Sequence, residues 1–312
     1  MTKLQFTVLD VFTSKPYSGN PLAVVFLPED ESKALTQHQK QTIAKEFNLS
    51  ETIFVHPNRE QSKRTIDIFT TDAELPFAGH PTIGAVTWLL CLAPDAQSTE
   101  INTLVTKSGG IAISLIDSET KFVSAKIAHN THIHAAQFSL QDLLRLQPAL
   151  AGFFPQQSVS FPQFSCVKGM NQILVELPSL EALAAVTLSA GSIGVDALDE
   201  GWRLGHVCLY FFVRDVDDEI TKKKIIRTRA IENTMEDPAT GSAASGLTSY
   251  LTLIEGQAGK QHRYSLVQGV EMGRRSEIGV NVTLNADKKI EQVELTGTAV
   301  QVSEGKISVP EL

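Results

Sequence analysis

Twice in this chain a Pro- and Gly-bearing loop opens directly into a helix, the first apolar on nearly every face and the second built largely of small residues. The first loop reads Glu74-Leu75-Pro76-Phe77-Ala78-Gly79-His80-Pro81-Thr82 and leads into the apolar stretch Ile83 to Leu92. The second reads Glu236-Asp237-Pro238-Ala239-Thr240-Gly241-Ser242 and leads into the small-residue stretch Ala243 to Leu251. A helix without a polar face must be enclosed by protein, so the first loop marks the start of a central rather than a surface helix. The segments ahead of the loops also repeat in order. In the first half, Phe6 to Phe12 and Leu22 to Leu27 read as strands around the turn Ser18-Gly19-Asn20-Pro21, and Ile53 to Val55 and Arg64 to Thr70 as two more. In the second half, Lys168-Gly169-Met170-Asn171 echoes that turn, and Gly205 to Val213 and Ile225 to Ile231 read as strands.

These repeats predict two structurally similar halves, each a curled sheet around one central helix, with a boundary near residue 125. The polar stretch from His129 to Ser165, with a helical segment at Leu140 to Leu146, reads as the crossover between them. Thr36 to Phe47 reads as a helix broken by Asn48-Leu49-Ser50, which puts Glu51 at a helix-to-strand corner.

Composition removes several classes of function. Of the 312 residues, 42% are hydrophobic and 20% charged, the balance of a folded chain, and the net charge of -8 argues against nucleic acid or an anionic membrane as partner. No apolar stretch reaches the length of a membrane span, and the N-terminus lacks the apolar region of a signal peptide, so a cytoplasmic location is expected. Cys91, Cys166 and Cys208 lie far apart in apolar surroundings and read as buried thiols, not as a disulfide frame or metal site. His129, His132 and His134 read as surface residues, because no HExxH pattern or cysteine cluster accompanies them. Neither GxxxxGK[ST] nor GxGxxG occurs, and Gly241 to Gly246 is not a GxSxG elbow.

Chemistry concentrates at the two loops and at Glu51. A Gly at the start of a helix exposes unpaired backbone N–H groups, and the dipole adds partial positive charge, which suits a carboxylate or a developing oxyanion. Gly79 and Gly241 are the candidate anion-binding positions, although a tight turn would also use them. His80, Asp237 and Ser242 are either capping or structural groups or polar groups flanking a pocket. Glu51 borders an apolar strand, where desolvation raises a carboxyl pKa and lets it both take and return a proton. An exposed glutamate at a strand start is the plain alternative.

Together, Val11-Phe12 with Gly19-Asn20-Pro21, Leu49-Ser50-Glu51-Thr52, the first loop string, and Asp237 to Ala243 resemble the PhzF-like family of phenazine biosynthesis. The motifs occur in the family's order from residue 11 to about 246. The resemblance implies a diaminopimelate-epimerase-like α/β (α+β) fold of two pseudo-symmetric domains, each a curled, mostly antiparallel sheet around a central helix, with residues 1–124 plus 296–312 expected in the first and 125–295 in the second. It places the active site between the domains and implies a homodimer and no metal, nucleotide or flavin. It also implies a small anionic substrate and an isomerisation in which Glu51 moves a proton between carbons. His80, Asp237 and Ser242 would surround the pocket as catalytic residues, with Gly79, Gly241, Asn20 and Thr240 binding the substrate. Epimerases of this fold use a cysteine on each loop; Ala78 and Thr240 stand there instead, which favours one-base chemistry on a single face. A non-enzymatic protein that keeps the cleft is the alternative.

Overall fold

The computed structural model describes residues 2–96, 100–155, 159–189, 191–232 and 234–311. Contacts divide the chain into unit 1, Met1–Ile127 with Leu295–Leu312, and unit 2, Ala128–Glu294. The first half runs β1 (Lys3–Val11), β2 (Asn20–Phe26), α1 (Gln37–Phe47), β3 (Glu51–Val55), β4 (Lys63–Phe69), β5 (Glu74–Leu75), α2 (Gly79–Thr87), β6 (Thr103–Thr106), β7 (Gly109–Asp117) and β8 (Phe122–Ile127). The second runs β9 (His132–Ser139), α3 (Leu140–Leu146), β10 (Ser160–Val167), β11 (Met170–Glu176), α4 (Leu180–Ala184), β12 (His206–Asp217), β13 (Lys224–Glu232), β14 (Met235–Asp237), α5 (Gly241–Glu255), β15 (Gln261–Gln268) and β16 (Ser276–Leu284). Two last strands follow, β17 (Ile290–Gly297) and β18 (Ala299–Ser308).

Strand pairing is repeated between the units. In unit 1, β18 and β1, then β1 and β2, pair antiparallel; β2 and β3 pair parallel; β3, β4 and β5 follow antiparallel; β4 pairs parallel to β6, and β6 antiparallel to β7. In unit 2 the same succession joins β9, β10, β11, β12, β13 and β14, with β13 parallel to β15 and β15 antiparallel to β16. Each sheet holds one enclosed helix. Every residue of α2 is buried, and it packs on β1, β2, β3, β8 and β18. Helix α5 packs on β10, β11, β15 and β16.

Close packing of helix on sheet depends on a glycine at the same step of each helix. A Cβ on Gly84 would lie 2.4 Å from Leu22 Cδ2 on β2, and one on Gly246 would lie 2.3 Å from Gln172 Oε1 on β11. Both contacts are below any real Cβ distance, so the Leu22 or Gln172 side chain would have to swing aside to admit a side chain there.

Helix α1 shows why Glu51 falls at a corner. Thr36 Oγ1 accepts the Gln39 N–H at 3.3 Å while Gln39 Oε1 accepts the Thr36 N–H at 3.0 Å, a reciprocal cap that fixes the start. Asn48 ends the helix at φ 50, in the left-handed region that Asn tolerates, and the chain turns into β3 at Glu51. The helix is held to the sheet by Leu4, Val25, Ile43, Phe54 and Phe69.

Two expectations are corrected. The stretch from His129 to Ser165 is not a crossover loop, because it carries β9, α3 and most of β10, with Ser139 paired to Ser160 and His132 to Ser165. Strand β9 buries only His134 and exposes Ile133, Ala135, Ala136 and Gln137, so its polarity looked like that of a loop. Cys91 is half-buried, unlike Cys166 and Cys208, because it lies in the π-helical turn Trp88–Leu92 beyond the enclosed part of α2. Among the described residues no helix is long and apolar enough to cross a membrane.

Candidate active site

In unit 1, three of the expected residues meet. Asn20 begins β2, Glu51 begins β3 in parallel register with Leu22, and His80 is the second residue of α2. Asn20 and His80 are buried, and the Glu51 side chain is 17% exposed. The Asn20 amide donates to His80 Nδ1 at 3.4 Å, and Glu51 Oε2 lies 3.4 Å from the same nitrogen. Ser50 Oγ donates to Asn20 Oδ1 at 3.4 Å, which fixes the amide with its nitrogen toward His80.

With Asn20 donating to it, Nδ1 presents a lone pair, and Glu51 Oε2 stands at the same distance from that nitrogen. The remaining neighbours of Glu51 along its strand, Thr52 to Val55, are buried. Gly79 opens α2, where the cap residue Ala78 is extended and its side chain gives no hydrogen bond.

In unit 2, the second loop forms a closed turn. Asp237 ends β14, Thr240 is the cap residue of α5, Gly241 opens the helix and Ser242 is its half-buried second residue. Thr240 Oγ1 donates to Asp237 Oδ2 at 2.6 Å, and the Ala239 N–H reaches Oδ1 at 3.5 Å. Thr240 does not cap the helix with its side chain, which is turned to Asp237 instead. Neither central helix is capped by the side chain of its own cap residue.

Sequence reasoning missed the groups that hold this turn. Gln268, at the end of β15, donates to the Asp237 carbonyl at 2.7 Å and to Thr240 Oγ1 at 2.9 Å. The strand before Asp237 is pinned by Arg229, which makes two 2.7 Å bonds to the carboxylate of Glu236. No local pattern announces either residue, since each acts through a partner distant in sequence or across a strand pair.

The histidine cluster differs from its expected surface position. His134 is buried; its Nδ1 accepts the Asp199 N–H at 3.1 Å and its Nε2 lies 2.8 Å from Ser165 Oγ. Because a backbone N–H can only donate, His134 is neutral with its proton on Nε2. Burial, then the neighbouring His132, depress its pKa. His132 pairs with Asp199 at 2.7 Å and stacks on Trp202. Ligand atoms of His132, His134 and Asp199 lie within 4.8 Å of one another, the one group among the described residues that could hold a metal, yet both ring nitrogens of His134 are engaged. Burial pushes the Cys166 thiol up to about 11 and Cys208 well above its usual value, and no cysteine falls on either loop.

Over residues 9–305 the sequence matches the family described as Phenazine biosynthesis-like protein. The chain belongs to this family. A protein of Mesorhizobium japonicum named an uncharacterized isomerase is 31% identical, over 99% of this chain and 100% of the relative. The trans-2,3-dihydro-3-hydroxyanthranilate isomerase of Pseudomonas chlororaphis is 29% identical, over 97% of this chain and 98% of its own. The Bacillus anthracis phenazine biosynthesis protein of the PhzF family superposes with a TM-score of 0.77 at 22% identity, covering 99% of this chain and 100% of that one. A probable proline racemase from Agrobacterium radiobacter superposes at 0.61 with 12% identity, over 98% and 93% of the two chains, and shows the shared epimerase-like fold. The protein is a PhzF-type isomerase.

Proposed function

We propose that this PhzF-type isomerase moves a proton between carbons of a small anionic substrate, with Glu51 as the acid/base. The observation that carries the reading is the 3.4 Å approach of Glu51 Oε2 to His80 Nδ1 at the start of an enclosed helix. Glu51 as carboxylate takes a proton from a carbon made acidic by neighbouring unsaturation, leaving a delocalised carbanion. The protonated Glu51 is steadied by the His80 lone pair and returns the proton to another carbon on the same face. Electrons and protons balance within the substrate and Glu51, so the step needs no metal or redox partner. Ala78 and Thr240 offer no thiol, which supports one-base transfer over two-base inversion.

The substrate class is a cyclic or conjugated amino or hydroxy acid. The relatives named trans-2,3-dihydro-3-hydroxyanthranilate isomerases make that compound the first to try. Gly79 and Gly241 are assigned to its negative charge through the helix starts, and Asn20, Asp237, Thr240 and Ser242 to its polar groups. A cytoplasmic homodimer accompanies the reading, with light scattering as its check.

The test is solvent deuterium incorporation across a panel of such acids, followed by NMR. Glu51→Gln keeps the shape and removes the base, and turnover is expected to fall on the order of hundredfold or more. Unchanged turnover in the variant would refute the assignment. Ligand binding with no exchange by the natural protein would favour a silent binding protein instead.

A further inference from the structure

Behind Asp237 lies a buried relay whose direction is set by one side chain. Gln268 is fully buried. Its Nε2 bonds the Asp237 carbonyl at 2.7 Å and Thr240 Oγ1 at 2.9 Å, while Tyr210 OH lies 3.1 Å from its Oε1 and Thr228 Oγ1 3.4 Å away. A backbone carbonyl only accepts, so the nitrogen end of the amide has to face Asp237. The oxygen end therefore faces the hydroxyls of Tyr210 and Thr228, which also lie 3.2 Å from each other, and receives its proton from one of them. Burial drives the ionisation of Tyr210 far above its usual range, so its hydroxyl keeps its proton at any working pH. At the other end, Thr240 Oγ1 receives the Gln268 N–H and passes its own proton to Asp237 Oδ2 at 2.6 Å.

The relay ends on an acceptor. Every proton along it points toward the carboxylate, an arrangement that favours the charged over the neutral acid. Titratable groups near this turn include Glu232 on β13, His206 at 3.8 Å from Glu232, Cys208 and Tyr210 on β12, the Arg229–Glu236 pair, and Arg274, whose carbonyl lies with that of Pro238 beside Gly269. Glu232 is raised by burial and by the charge of Asp237 and is lowered by His206, so the turn already holds two competing carboxyls. We infer that Gln268 is a positioning residue that, through Thr240, keeps Asp237 an acceptor-only anion for a donor group of the substrate, an ammonium or a hydroxyl. The inference rests on reading Asp237 as a substrate-binding residue.

The experiment follows Asp237 itself and needs no substrate. Full-length protein carrying aspartate labelled with ¹³C at the side-chain carboxyl is titrated by NMR, and the Asp237 signal is assigned from its loss in Asp237→Asn. Thr240→Val removes the last donor at nearly constant volume, Gln268→Met removes the amide, and Thr240→Ser restores the hydroxyl. The titration midpoint of Asp237 is expected to move upward in Thr240→Val and in Gln268→Met, and to stay with the natural protein in Thr240→Ser. Should Gln268→Met fail to fold, as its melting curve would show, Thr240→Val carries the test because its site lies at the half-buried helix start. A midpoint unmoved in Thr240→Val overturns the relay. By contrast, an Asp237→Asn protein with undiminished deuterium exchange would sink the substrate-binding reading while leaving the relay intact.

Discussion

Arg229 offers a quantitative check on what holds the second loop in place. The residue is 6% exposed and its guanidinium makes a fork of two 2.7 Å bonds to Glu236, the residue next to Asp237. Its Nη1 also donates to the carbonyls of Leu183 at 3.0 Å and Val186 at 2.7 Å, closing the end of α4. Arg229→Met keeps the aliphatic stem but leaves Glu236, 10% exposed, without its cation. Removing one partner of such a buried pair costs about 3–5 kcal/mol, mostly from the charge left behind. A unit of this size loses about 2–4 °C of melting temperature per kcal/mol, so calorimetry should show a fall of about 6–20 °C. The double variant Arg229→Met/Glu236→Leu removes both charges and should recover about 2 kcal/mol of that loss, because paired buried charges contribute little beyond what apolar side chains of similar volume would. A single variant that loses less than about 1 kcal/mol would refute the reasoning, as would a double variant no more stable than the single.

Two further outcomes are expected. Gly19 sits at φ +67, and a Cβ there would lie 2.2 Å from the Val11 carbonyl oxygen, a backbone atom that cannot swing aside; Gly19→Ala should therefore cost about 1–3 kcal/mol and, by displacing the neighbouring Asn20, lower exchange activity as well, whereas a variant with natural stability would contradict the turn geometry. His134, whose pKa is depressed by burial, is held neutral in the folded state, so its contribution is fully present above the unfolded value near 6.5 and is lost as pH falls below it toward the folded value; urea titrations at pH 7 and pH 5 should show this loss in the natural protein and a smaller one in His134→Gln, and equal losses would exclude His134 as the group responsible.

The fold was legible where hydrophobicity breaks its usual period. Ile83 to Leu92 has no polar face, which demanded one enclosure, and the repeated order of elements around the small-residue stretch Ala243 to Leu251 demanded a second; the structure supplies them as two sheets with one order of pairing. Thr36 and Asn48 likewise declared the ends of α1 through side chains suited to a cap and to positive φ. Strand β9 was hidden because an edge strand with one wet face carries the polarity of a loop, and His134 with it because burial is a property of the partner strand, not of the local string. At the site, Glu51, His80 and Asn20 stood out by residue type and motif, and their mutual distances depend on β2, β3 and α2 converging. Gln268 had no signature at all, since its role is defined only by a carbonyl and a hydroxyl in another loop.

Strand β1 takes one neighbour, β2, from the next few residues and the other, β18, from the far end of the chain, with Lys3 opposite Ser308. A growing polypeptide on the ribosome therefore completes the whole of unit 2 while one side of β1 still waits. Until residue 299 emerges, that side offers a row of unmatched backbone groups to any other nascent chain. Synthesis that halts short of β18 leaves a molecule primed to associate with its own copies.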